Sequence, residues 1–84
     1  MSLNVREARL AGRKVVGPGR AVLKVHVPGL GETLRGLSDG AHDVIVDVLT
    51  VVLWQRFRWE GWRPWEALPL SDVDVLEISL RREG

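Results

Sequence analysis

The chain has 84 residues, of which 45% are hydrophobic and 27% charged, and its formal net charge is +1. That length allows one domain, residues 1–84, and the ordinary apolar content with near-zero net charge excludes intrinsic disorder. With no cysteine, disulfides, zinc ribbons, iron–sulfur clusters and thiol chemistry are excluded as well.

A core this small usually needs reinforcement from disulfides, metals or partners. Two histidines, His26 and His42, are too few for a histidine-rich metal cage. Oligomerisation is the staple that remains, so the expectation is a homodimer, or a module that binds an unidentified partner protein, without cofactor or metal. The lack of cysteine fits a cytoplasmic protein. Residues 1–10 carry Arg6, Glu7 and Arg9 and no apolar run of the kind a secretory signal or anchor requires. Val44 to Trp54, the longest apolar stretch, is broken by Asp47 and Thr50, which leaves no membrane span. Ten arginines against two lysines, with one Asn, one Gln and one Met, suit either a thermophile or a GC-rich genome.

In chain order, Ser2 is placed to cap a short helix through Leu10 that stops near Gly12. Gly17-Pro18-Gly19 is a turn, and residues 13–16 on one side pair with 20–27 on the other as a hairpin. In the second strand Ala21, Leu23, Val25 and Val27 share one face, while Arg20, Lys24 and His26 take the other. Pro28 to Gly31 ends it, and a segment with poor helix signals follows, broken by Gly36 and Gly40.

From Ala41 to Phe57 the β-branched composition favours strand, but three features favour helix. The run is about three times the usual strand length of 5–6 residues. Ser38 or Asp39 supplies an N-cap. Asp39, Asp43, Asp47 and Thr50 recur at helical spacing as one polar stripe. The expected core face is Ala41, Ile45, Val48, Leu49 and Val52, with Val44, Val46, Val51 and Leu53 on the flanks. A helix apolar over most of its circumference wants burial on more than one side, and one small sheet covers only one. Residues 58–71, punctuated by Gly61, Pro64 and Pro69, read as an irregular connection. Val73 to Arg82 reads as a last strand, with Leu76, Ile78 and Leu80 facing inward. The expected fold is a two-layer α+β domain: three antiparallel strands, ordered strand-strand-helix-strand, with one long helix across them.

Trp54, Trp59, Trp62 and Trp65 fall within twelve residues of one another, interleaved with Arg56, Arg58 and Arg63. Such a cluster caps a small core, forms a protein interface, or stacks nucleic-acid bases. The interface expected from the helix flank and this segment comprises Val46, Val51, Leu53, Trp54, Phe57, Trp59, Trp62 and Trp65. Charge offers an alternative. Residues 1–30 carry +5, residues 36–54 carry −3 and residues 64–80 carry −4. A nucleic acid would then meet Arg6, Arg9, Arg13, Lys14, Arg20 and Lys24, aided by Arg56 and Arg58, although opposite charges within or between subunits satisfy the same pattern.

Motifs for catalysis are thin. Gly29-Leu-Gly31-Glu-Thr-Leu34 follows a strand but has leucine at the third glycine position of a dinucleotide fingerprint. Gly31 to Ser38 has the glycine spacing of a P-loop but Leu37 in place of its lysine. Asp39, Asp43 and Asp47 share a helix face suited to a hard cation, yet such carboxylates usually face water and favour a helix N-terminus. No serine or threonine has an adjacent base. The expectation is a non-enzymatic association module without catalytic residues.

Overall fold

The structure, a computed structural model, describes residues 3–83. It is α+β, with the order β1 (Arg9–Gly17), β2 (Arg20–His26), α1 (Leu30–Arg35), α2 (Asp39–Phe57), β3 (Trp62–Leu70) and β4 (Val75–Arg82), and a 3-10 turn at Ser71–Val73 before β4. The four strands form one antiparallel sheet in the order β1-β2-β4-β3. Four strands, not three, and a short extra helix therefore correct the expected strand-strand-helix-strand order.

The hairpin forms across Gly17 to Arg20, with Gly19 at φ 66° supplying the left-handed residue the turn demands. Its first strand reaches back to Arg9, so the helix expected through Leu10 is absent over the described residues; Ser2 lies outside them. Pairing with β2 offers residues 9–12 a ladder of backbone hydrogen bonds, and β1 takes them up around a bulge between Leu10 and Gly12.

The central strands behave as their alternation predicts. Ala21, Leu23 and Val25 of β2, Val27 just beyond it, and Leu76, Ile78 and Leu80 of β4 are all buried on the helix-facing side. They meet Leu30 and Leu34 of α1 and Leu49 and Leu53 of α2, with Ala8 and Trp62 completing the core.

α1 is the element the sequence hides. Gly29 starts it in a left-handed conformation at φ 83°. At Gly31 an added Cβ would lie 2.1 Å from the Ser71 carbonyl oxygen, so only glycine lets the helix lie against the turn before β4. The Gly31 N–H donates to Asp74 Oδ1 at 2.7 Å, and the Asp74 carbonyl accepts from Val27 N–H at 2.7 Å. Gly31, common to both phosphate-loop mimics, thus serves packing, and Gly29 the turn into the helix.

β3 corrects the irregular connection expected over residues 58–71. Pro64 and Pro69 lack an N–H, which disfavours a central strand but is tolerated at an edge. β3 is an edge strand, and a bulge between Pro64 and Glu66 accommodates Trp65.

α2 is a helix, as the cap and polar spacing predict. Ser38 is its N-cap, accepting from Ala41 N–H at 3.4 Å, with Asp39 in the first turn and Arg56 in the last, as the macrodipole favours. Its buried side differs from the expected one. Leu49 and Leu53 are buried, and Ile45, Val46, Trp54 and Phe57 pack against the core. Val48 and Val52, assigned to the core face, point outward. The helix is turned by about 100°, one residue, from the expected phase. Valines spread around the whole circumference give hydrophobicity little power to set the phase. The long side chains Leu49, Leu53 and Phe57, spaced by four, reach into the sheet and set it instead.

Candidate interaction surfaces

Rotation of α2 leaves an apolar row on its outer side. Val44, Val48, Val51 and Val52 are 61%, 55%, 61% and 43% exposed, and their spacing of i, i+4, i+7 and i+8 makes them one face. Exposed Asp43 and Asp47 lie beside this row towards the helix N-terminus, while Arg56 and Arg58 stand at the C-terminal end. The outer side of α2 is therefore apolar, with acidic side chains along one edge of its first half.

The expected interface residues divide sharply. Val51 belongs to the exposed row. Leu53 is fully buried and Trp62 nearly so, which withdraws both from any surface. Val46, Trp54, Phe57 and Trp59 are half-buried and packed against the core. Trp65 remains 47% exposed. The Trp59 and Trp62 rings lie 5.4 Å apart, and Arg13 sits over Trp59 and Arg82 over Trp62 at 5.7 and 5.3 Å from their centroids. Most of the tryptophan segment thus seals the end of the core. The row at Val44, Val48 and Val52 is absent from the expected interface; helical spacing reveals that the valines align, but not which side faces water.

Neither helix covers the opposite face of the sheet. Residues paired across neighbouring strands share a face, and the register arranges the outer face in rows. Arg20, Arg81 and Arg63 form one row across β2, β4 and β3. Lys14, Val22, Ser79 and Glu66 form the next, then Gly12, Lys24, Glu77 and Leu68. Lys24 Nζ lies 3.9 Å from Glu77 Oε2. The Arg81 guanidinium lies over the Trp65 ring, 4.1 Å from its centroid.

The residues expected to meet a polyanion are not all on that face. Arg9, Lys14, Arg20 and Lys24 are. Arg13 points to the helix side, paired with Leu23 and over Trp59. Arg56 donates to the Val5 and Arg6 carbonyls at 3.0 and 3.1 Å, which ties α2 to the N-terminal segment instead. Arg6 lines a hollow with Arg9 and Arg56 at the edge of the sheet, and Arg58 stands at the C-cap of α2. Arg63, Arg81 and Trp65 join the face only through the pairing of β3 with β4, which the sequence conceals.

The remaining polar groups that stand out in the sequence take part in local structure. The Ser38 hydroxyl that mimics a P-loop caps α2. His42 Nε2 donates to the Leu34 carbonyl, joining the two helices. The Thr50 hydroxyl donates to the Val46 carbonyl at 2.7 Å. Among the described residues no group of three or more His, Asp or Glu side chains is placed to hold a metal ion, and no helix is long and apolar enough to cross a membrane. No protein-family model, curated protein or solved structure matches the chain.

Proposed function

We propose that the protein is a non-enzymatic association module that pairs with a second copy of itself through the outer face of α2. The observation that supports this reading is the row of Val44, Val48, Val51 and Val52, which meets water in a single copy. Clustered exposed apolar side chains of this kind mark interaction surfaces. Charge along α2 selects the geometry. Parallel packing would set Asp39, Asp43 and Asp47 against the same residues of the partner. Antiparallel packing moves them apart, towards the C-terminal half of the partner helix, and brings Val48 against Val51. The half-buried rims at Trp54 and Trp65 would flank such a contact.

Light scattering on a sizing column, at low and high salt, tests it. The expected mass is twice 9.4 kDa at both salt concentrations, because apolar contacts are not screened. A monomer under both conditions would overturn the reading.

A further inference from the structure

The row Arg20, Arg81 and Arg63 is an arrangement that folding alone does not favour. Like charges directly opposite each other on neighbouring strands are destabilising, and here three arginines are paired side by side across three strands. No ion pair with an acidic side chain relieves any of the three among the described residues. Lys14 in the next row extends the positive region onto β1. An anion seated along the row would turn this repulsion into attraction, and guanidiniums suit phosphate because they bind its oxygens in pairs.

The rest of the face indicates which anion. Its middle is built of short side chains, Gly12, Val22 and Ser79, while the long cations stand around them. The result is an open platform with a shallow hollow of about 480 Å³ beside Gly12, Lys14, Val22, Lys24 and Glu77, and a mostly positive rim interrupted by Glu66. Trp65 stands at the edge beneath Arg81, with about half its surface (47%) in solvent. The part of the ring that Arg81 leaves exposed offers a base a stacking partner, and open platforms that combine cations with exposed aromatics fit single strands, whose bases are free to lie down. We infer that the outer face of the sheet is a binding site for single-stranded nucleic acid, with Arg20, Arg63, Arg81 and Lys14 on the phosphates and Trp65 under a base. This inference does not depend on self-association. The arginine row lies on the other side of the sheet from the valine row, with Trp65 at the edge between them, where it lines a hollow with Val51, so pairing through α2 leaves both arginine rows open.

The test is a fluorescence-anisotropy titration of the whole chain against labelled mixed-sequence single-stranded DNA and RNA, with a duplex of the same sequence as competitor. If about four phosphates are neutralised, affinity falls roughly 50-fold between about 50 and 200 mM salt. The double variant Arg20→Gln, Arg63→Gln should about halve that salt slope and weaken binding at low salt, while its melting temperature stays level or rises as repulsion is removed. Trp65→Ala should weaken binding by about fivefold or more. The melting curve separates a lost site from a lost fold. Absence of binding at low salt, unchanged affinity in the double variant, or a duplex bound as tightly as the single strand would each overturn the inference.

Discussion

The outer side of α2 and the outer side of the sheet both meet water, yet they fail to suit it in different ways. Along α2 the misfit is apolar: four valines occupy positions where a solitary helix would carry polar side chains. Across the sheet the misfit is electrostatic, with three arginines in one cross-strand row. Folding of a single copy gains from neither. The buried side of each element is conventional, with leucines on α2 and alternating aliphatics on β2 and β4. The contrast teaches that one small core can support two surfaces with opposite solvent preferences, and that salt distinguishes them. Added salt screens the arginine row and leaves the valine row intact or strengthened.

The largest effect probes what both surfaces share. Leu53 is fully buried beneath α2, and Val52, its neighbour, is not. Leu53→Ala should cost about 2–5 kcal/mol of unfolding free energy through lost contacts and a residual cavity. Val52→Ala should cost less than about 0.5 kcal/mol in a single copy, as exposed substitutions do. Urea titrations at a dilution that favours the single copy check both. Equal costs would mean that the phase of α2 is not the one described. That phase is the premise of the valine row, so the comparison would collapse with it.

A second variant acts on one surface and spares the other. Val48→Lys with Val51→Lys places two charges in the middle of the apolar row. Self-association should weaken by at least about a hundredfold, or roughly 3 kcal/mol. The stability of the single copy should hardly change, since both positions already face solvent. Sedimentation equilibrium reads the first quantity and thermal melting the second. Oligonucleotide affinity should persist in this variant; its loss would show that the two surfaces are one.

Much of the fold is legible in the sequence, and the gaps have physical causes. Strict alternation over β2 and β4 identified Ala21, Leu23, Val25, Leu76, Ile78 and Leu80 as core, because one face is buried and the other is not. Ser38 and the aspartate spacing identified α2 against its own β-branched composition. β3 stayed hidden because Pro64 and Pro69 are signs of irregular chain unless the strand lies at an edge, and edge position is a tertiary fact. α1 stayed hidden because its six residues carry no periodic signal, and its Gly31 is explained only by the Ser71 carbonyl it approaches. Both candidate surfaces suffer from the same limits. The valine row depends on a helix phase that evenly spread valines do not encode, and the arginine row on a strand pairing that joins residues 20, 63 and 81.

The smallest expected effect is the most discriminating. Glu77 lies on the central strand β4, in the row beside Lys24, and is with Glu66 one of two carboxylates on a mostly cationic platform. Its pairing with Lys24 spans 3.9 Å at a surface where the lysine side chain is 51% exposed. Exposed pairs of this sort contribute about 0–1 kcal/mol, so Glu77→Gln should leave stability nearly unchanged. Its effect on the platform should have the opposite sign to that of the arginine substitutions. Removing the carboxylate releases Lys24 and removes repulsion towards a phosphate, which strengthens binding by up to about fivefold, the equivalent of about 1 kcal/mol for unit charges near 4 Å in water. The valine row lies on the other side of the molecule, so the solution mass should stay constant. A gain in oligonucleotide affinity with mass and melting temperature unchanged would locate the anion on the sheet face, because a polyanion held by Arg6, Arg56 and Arg58 would not sense a charge at the centre of β4. Unchanged affinity at low salt would place the nucleic acid elsewhere and leave the arginine row without a partner.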